Sequence, residues 1–279
     1  MICLGIESTA HTFGVGIVSS NKKIFADLRD MYKSSTGIIP TEAASHHRKI
    51  YHKMIKQALE EANQKIDLIA YSHGPGLSPS LHVGLQAAKE YAEDLKVPII
   101  GVNHPAAHLT SGQLFTEAKD PVFLYISGAN TQVVVTDGGK FCICGETLDI
   151  GLGNALDKFG REIGLGFPGG PEIEKLAKTG KYVKLPYTVK GMDGSFSGLI
   201  TKCTQLVKKG TSKEDICFSL QETAFAMLTE IAERALSHTT KNELLLIGGV
   251  AANKRLCEML QMMCEDRKAK FFAAPLKYA

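Results

Sequence analysis

"ICLGIESTAHTFGVGIV", residues 2–18, and "VFLYISGANTQVVVTDGG", residues 122–139, are two copies of one device. Each is a β-rich run, a short turn of small polar residues and a second valine-bearing run, the pattern of a β-hairpin. Setting Ser8 on Ser127 puts Ala10 on Ala129, His11 on Asn130 and Thr12 on Thr131. The copies continue downstream. "IDLIAYSHGPG" (66–76), "SLHVGLQAAKEYAEDL" (80–95) and "VPIIGVN" (97–103) read as strand, glycine turn, helix and strand. "ELLLIGGVAANKRLCEMLQMMCEDRKAKFFAAP" (243–275) repeats that order. Self-similarity at this scale implies two related mixed α/β domains rather than a solenoid.

An amphipathic helix precedes each βαβ half. Ala43, His47, Ile50, Met54, Ala58 and Ala62 recur at spacings of three or four, and Ile216, Leu220, Ala224, Met227, Leu228 and Ile231 fall on one such stripe. Such stripes predict faces turned to a core. The second copy carries an extra glycine-rich stretch at about residues 148–200, with two short helical patterns. Loops grafted on a rigid scaffold often carry function.

The chain has 279 residues, 44% of them hydrophobic, which suits two domains better than one. Lysine and arginine total 32 against 29 acidic residues; a net +3 neither demands nor excludes a nucleic-acid partner. No apolar run approaches the roughly 18 residues of a membrane span, and the N-terminus reads directly as a strand, so neither a membrane anchor nor a signal peptide is expected. The seven cysteines form no C-x-x-C pair, which disfavours a thiolate zinc site and a disulfide framework. Cys257 and Cys264, seven apart in a helical pattern, read as core fillers. A reducing, cytoplasmic setting fits.

Three places could hold chemistry. The turns "SGANT" (127–131) and "IGGVAANKR" (247–255) each follow an apolar strand, and "LGFPGGPEIEKLA" opens a helix at Gly169-Gly170-Pro171 with Glu172 and Glu174 in its first turns. Small-residue turns and helix N-termini cradle phosphates, and a carboxylate there suits a ribose hydroxyl. None of the three is a P-loop or a G-x-G-x-x-G fingerprint, so tight turns without a ligand remain the competing reading. "VNHPAAHL" places His104 and His108 on one face of a helix capped by Asn103 or His104. They are near enough for one metal ion, or are two surface imidazoles. The zincin motif H-E-x-x-H needs a glutamate where this chain has Pro105, which disfavours a protease. In "SHH", Ser45, His46 and His47 diverge by about 100° per residue, so these histidines and His52 read as helix-surface or polar-partner groups, with a basic RNA-facing role as the lesser alternative.

Taken in order, "GIESTAHTFGVGIV", "GIIPTEAASHH", "GPGL", "VNHPAAHL", "YISGANTQVVV", "LGNALDKFGREIGLGFPGGPEIEKLA", "DGSFSGL" and "LIGGVAANKRL" resemble the tRNA threonylcarbamoyl-adenosine transferases. The resemblance is to the archaeal and eukaryotic type, the catalytic subunit of the KEOPS complex, and covers nearly the whole chain. It implies an α/β fold: two ribonuclease-H-like domains of the actin, Hsp70 and sugar-kinase superfamily with an interdomain nucleotide and metal site. Here those domains would be residues 1–118 and 119–279. It implies transfer of threonylcarbamoyl from threonylcarbamoyl-adenylate to N6 of the adenosine beside the anticodon in tRNAs reading codons that begin with A, with release of AMP.

By motif, the resemblance assigns His104, His108 and Tyr125 to one metal ion, iron or zinc. It assigns the segment Tyr125, Ile126, Ser127, Gly128 and Ala129 to the acyl-adenylate, and Asp157, Gly170, Glu174 and Asn253 to its adenine-nucleotide part. Glu7 is a candidate general base, with a structural role the stronger expectation. The implied partners are tRNA, a small atypical protein kinase, a small dimerising subunit and other KEOPS subunits. The family pattern continues past "PLKYA" into an aspartate-bearing glycine segment, whereas this chain stops at Ala279, so a C-terminal truncation is expected. The rival readings are an ATP-dependent kinase or chaperone-like ATPase of the same fold, then a metalloprotease or a non-catalytic scaffold.

Overall fold

The computed structural model describes residues 1–34 and 38–275. Gly37 of "GIIPTEAASHH" and the last four residues of "PLKYA" lie outside the described residues. Two compact units emerge, Met1–Ala107 and His108–Ala279. The division falls inside one helix, eleven residues before the expected boundary.

The first unit contains β1 (Ile2–Glu7), β2 (Thr12–Ser19), β3 (Ile24–Met31), α1 (Pro40–Ala62), β4 (Leu68–Gly74), α2 (Ser78–Leu95) and β5 (Ile99–Asn103). Its sheet runs β3-β2-β1-β4-β5, antiparallel through the hairpins and parallel from β1 to β5. Leu4, Ile6, Phe13, Val15, Ile17 and Ile69 pack against Ala44, Tyr51, Ile55 and Ala58 of α1 and Val83, Ala87 and Ala88 of α2. In β2 buried and half-buried residues alternate strictly, the period of a sheet with one covered face. Of the α1 stripe, all but Ile50 are buried; Ile50 sits at its margin. The helix ends at Asn63, whose left-handed backbone (φ 44°) closes it with a bond from its N–H to the Leu59 carbonyl.

Helix α3 (His104–Leu114) leads into the second unit: β6 (Val122–Ile126), β7 (Thr131–Asp137), β8 (Lys140–Glu146), α4 (Leu152–Glu162), α5 (Gly169–Ala177), β9 (Val189–Lys190), β10 (Asp193–Gly194), α6 (Ser197–Lys208), α7 (Lys213–Thr239), β11 (Glu243–Ile247), a 3₁₀ turn (Gly249–Ala252), α8 (Lys254–Asp266) and β12 (Lys270–Ala273). Its five-stranded sheet runs β8-β7-β6-β11-β12, with the same pairing directions as the first. The repeat read from sequence is therefore a repeat of topology.

The copies differ in burial. Every residue of β6 and β11 is buried. Val122, Leu124 and Ile126 enter the large core with α4–α8, while Phe123 and Tyr125 join Leu109, Ala118 and Val134 on the opposite face. That is why "VFLYI" and "LLLI" are unbroken apolar runs. The insertion also changes α7. Its predicted stripe is buried, and so are Cys217, Thr223, Phe225 and Ala232, because α4, α5 and α6 belong to the same core. Cys264 is fully buried and Cys257 packs at the core margin, as their spacing suggested. No helix among the described residues is long and apolar enough to cross a membrane.

Candidate functional site

In the first unit the chemistry gathers where β1 ends. Glu7 accepts hydrogen bonds on Oε1 from the Thr9 amide (2.7 Å) and the Thr9 hydroxyl, and its Oε2 lies 3.0 Å from His104 Nδ1. Burial raises the carboxyl, but the His104 and Thr9 hydrogen bonds outweigh it and hold the group below its ordinary range. An ionised carboxylate only accepts, so Nδ1 of His104 carries the proton and Nε2 carries the ring lone pair when the imidazole is neutral. Asn103 caps α3 through Oδ1, which accepts from the Ala106 amide at 3.1 Å, settling which of the two expected residues does so.

The turn after β1 is bolted down. The Thr9 carbonyl accepts from the Leu77 amide (2.7 Å) and the Ser8 amide donates to Ser72 Oγ (3.0 Å). A Cβ on Gly76 would lie 2.5 Å from the Thr9 carbonyl oxygen. Beside it, His47 is fully buried with Nε2 2.9 Å from the Ala10 carbonyl, while His46 pairs with Asp30 at 2.9 Å. The polar-partner reading holds for both; a surface position does not hold for His47, because α1 packs over the end of the β1–β2 hairpin.

In the second unit β6 and β11 are parallel neighbours, and the expected turns leave their carboxyl ends. Open α/β sheets bind ligands at such ends. The Ser127 amide donates to the Asn130 carbonyl (2.8 Å), the Asn130 amide to Ser127 Oγ (3.0 Å) and the Asn154 amide to the Gly128 carbonyl (2.8 Å). A Cβ on Gly248, whose φ is +103°, would lie 2.3 Å from the Ile126 carbonyl oxygen, so only glycine lets the two turns touch. Tyr125 is 1% exposed, and its ring centroid lies 5.5 Å from that of His108.

The four residues expected to hold the nucleotide gather around the third turn. Asp157 Oδ1 accepts from the Gly169 amide at 2.7 Å, fixing the start of α5, on which Gly170 and Glu174 sit. Glu174 Oε1 accepts from the Lys254 amide at 3.1 Å, joining α5 to the start of α8. Asn253 caps α8, with Oδ1 accepting from Arg255 and Leu256, while its Nδ2 donates to Gln221 at 3.0 Å. Its carboxamide thus ties the start of α8 to α7. Glu174, Gln221, Glu222, Lys254 and Arg255 line a cleft of about 530 Å³, a size that suits a small ligand. Arg255 grips Glu222 in a bidentate pair, 2.7 and 2.8 Å.

Two structural carboxylates escaped the sequence reading. Asp149 accepts from the amides of Ile150 (2.6 Å), Phe196 (3.0 Å) and Ser197 (2.9 Å), tying the insertion to the start of α6. Glu243 Oε2 accepts from the Lys119 and Asp120 amides at 2.8 and 2.9 Å. Neither residue belongs to a periodic pattern, and apart from Ile150 their partners are distant in sequence.

Among the described residues no three His, Cys, Asp or Glu side chains cluster as a metal site would. The donor types nonetheless fit one. A carboxylate holding the far nitrogen of a histidine is the outer-shell arrangement that metal-ligating imidazoles usually have, and the His108 and Tyr125 rings supply nitrogen and oxygen donors suited to zinc or iron.

Comparison with known proteins identifies the family. The profile of the TsaD family, described as tRNA N6-adenosine threonylcarbamoyltransferase, matches residues 21–279. A Thermococcus sibiricus protein named tRNA N6-adenosine threonylcarbamoyltransferase is 54% identical over 99% of this chain and 86% of its own. A Methanocaldococcus jannaschii protein named probable bifunctional tRNA threonylcarbamoyladenosine biosynthesis protein is 54% identical, and this chain covers 52% of its length. Among solved structures, full-length HypF in its phosphate- and nucleotide-bound form superposes with a TM-score of 0.68 at 14% identity, over 98% of this chain and 52% of that one. At that identity it supports the two-domain ribonuclease-H-like fold alone.

Proposed function

This chain belongs to the tRNA N6-adenosine threonylcarbamoyltransferase family, and from that premise we propose that it transfers threonylcarbamoyl from threonylcarbamoyl-adenylate to N6 of the adenosine beside the anticodon in tRNAs reading codons that begin with A. The bond between the carbamoyl carbon and N6 forms as the bond to the AMP phosphate oxygen breaks; AMP leaves with the electron pair and N6 gives up a proton. The observation that carries the reading is 54% identity sustained over 99% of the chain with a protein of that name.

AMP is already a good leaving group, whereas the lone pair on N6 is delocalised into the adenine ring. Positioning therefore supplies much of the rate. His104, His108 and Tyr125 would hold one metal ion, iron or zinc. Such an ion, when bound, supplies Lewis acidity toward the carbonyl. Of these, His104 is oriented from within the first unit: Glu7 fixes its tautomer and Asn103 fixes the start of its helix. Glu7 is a positioning residue, since its two oxygens are engaged and its depressed pKa makes it a poor base. Residues 125–129 line the acyl-adenylate, braced by Gly248 and Asn154. Asp157, Gly170, Glu174 and Asn253 shape the nucleotide cleft, Asp157 by setting the start of α5 and Asn253 by setting the start of α8. The partners in this reading are tRNA, a small atypical kinase, a small dimerising subunit and other KEOPS subunits, in a cytoplasmic setting. Kinase or ATPase chemistry on this fold is not favoured by the named relatives.

The test is threonylcarbamoyl transfer to tRNA by the His104→Ala variant with the partner subunits present. Transfer should fall by orders of magnitude, and full activity in the variant would sink the metal-dependent reading.

A further inference from the structure

Between α5 and β10 the chain runs as an irregular strap. Residues 175–192 hold five lysines and no aspartate or glutamate. The strap is fastened along one side of α7. The Lys181 amide donates to Asp215 Oδ1 (2.7 Å), the Val183 amide to Ser219 Oγ (2.7 Å), the Tyr187 hydroxyl to Glu230, and Arg234 Nη1 to the Gly191 carbonyl (2.7 Å). From Asp215 to Arg234 that track is about 28 Å long at 1.5 Å per helical residue. Leu185 points inward and is buried, and a Cβ on Gly180 would lie 2.2 Å from the Glu214 carbonyl oxygen, so the backbone lies directly on the helix.

The strap's own exposed side chains are mainly lysines and tyrosines. Lys178, Lys181, Lys184 and Lys190 are exposed, and Tyr182 and Tyr187 are 59% and 48% exposed. The hydrogen bond to Glu230 holds the Tyr187 ring in place. Lysines alone would suit any polyanion. Exposed aromatic rings on a fixed backbone, interleaved with lysines and with no acid in the strap itself, suit single-stranded RNA, whose phosphates take the cations and whose unpaired bases stack on the rings. We propose that residues 178–190 form an RNA-contacting surface: lysines 178, 181, 184 and 190 meet backbone phosphates, and Tyr182 and Tyr187 stack on unpaired bases. This rests on the reading of tRNA as the substrate.

The test uses the full chain and a fluorescently labelled tRNA transcript, with affinity followed by anisotropy across a salt series. The Lys181→Ala/Lys184→Ala/Lys190→Ala variant should lower the slope of log affinity against log salt by about 2 to 3, at roughly 0.7–0.9 for each phosphate no longer neutralised. Tyr182→Ala should weaken binding on the order of tenfold with an unchanged slope, the size of one stacked base; Tyr182→Phe should retain affinity. Matching melting temperatures exclude misfolding of these surface variants. If wild type binds and modifies tRNA while all variants behave like it, the strap proposal is overturned and the function stands. Equal affinity for polyglutamate, indifferent to Tyr182→Ala, would make the strap an acidic-protein surface and also overturn it. A wild type that neither binds nor modifies tRNA with its partner subunits present would overturn both.

Discussion

Glu7→Gln is the sharpest probe of the first-unit geometry, because it preserves shape and replaces one acceptor with a donor. The native carboxylate accepts from three groups: the Thr9 amide, the Thr9 hydroxyl and His104 Nδ1. A carboxamide cannot serve all three. If its oxygen stays on Thr9, its NH₂ faces His104 Nδ1, which must then accept, and the ring proton moves to Nε2, the nitrogen that would ligate an ion. If the amide flips, the NH₂ confronts the two Thr9 donors. Loss of an outer-shell partner of this kind lowers metal affinity about 10- to 100-fold, or about 1.4 to 2.7 kcal/mol. Glu7 is half-buried, so a charge-assisted hydrogen bond there sits near the low end of about 1.5–3 kcal/mol, which agrees in size. The assay is metal content by mass spectrometry together with chelator competition for zinc and iron. Thr9→Val, which removes one donor but leaves the His104 contact, is the control and should stay within about threefold, since a neutral hydrogen bond nets about 1 kcal/mol or less. A Glu7→Gln protein that holds metal within twofold of wild type would refute the tautomer argument.

Three further outcomes follow from the same structure. Gly248→Ala adds a Cβ 2.3 Å from the Ile126 carbonyl oxygen at a φ of +103°; strain of this kind costs roughly 1–3 kcal/mol before the clash is counted, so urea unfolding should show at least that loss. Asp149→Asn should destabilise by about 1 kcal/mol, the lower end because the residue is exposed. Burial raises the Asp149 carboxyl, but the Phe196, Ser197 and Ile150 amides together bring it below its ordinary value. A depressed folded pKa contributes stability above the unfolded pKa, so the gap between the two proteins should be constant at neutral pH and close as pH falls below roughly 4; a gap that widens in acid would contradict this. Finally, burial pushes the Cys203 and Cys217 thiols up to about 12, so in native protein at pH 8 a thiol reagent should label exposed Cys142 while these two react only on unfolding.

Which parts of this arrangement the chain advertises depends on how far apart the partners lie. The doubled hairpin and doubled βαβ half are visible because apolar periodicity is local, and the two sheets bear them out strand for strand. His47 illustrates the limit. Its place in the α1 stripe with Ala43, Met54 and Ala58 marked it as inward-facing, yet its partner, the Ala10 carbonyl, lies 37 residues away and no spacing could name it. Asp149 and Glu243 are harder still, because each accepts from backbone amides, and an amide has no residue type to recognise. The Glu7–His104 contact joins the first strand to a helix 97 residues later; the sequence offered Glu7 as a candidate base with a structural role the stronger expectation, and only the geometry gives that role its partner.

The two halves repeat one topology, but their turns do different work. In the first, three residues separate β4 from α2, and they close directly on the β1 turn through Leu77 and Gly76. In the second, six residues separate β11 from α8, wound as a 3₁₀ turn and capped by Asn253. That longer connection carries Lys254 out to Glu174 on α5 and leaves the cleft between α5, α7 and α8. An inserted helix on one side and a lengthened turn on the other are both needed to make the cleft, and both occur in the second copy alone. The asymmetry of the repeat thus accounts for why this cleft lies in the second half, while the first half contributes a carboxylate that orients a histidine.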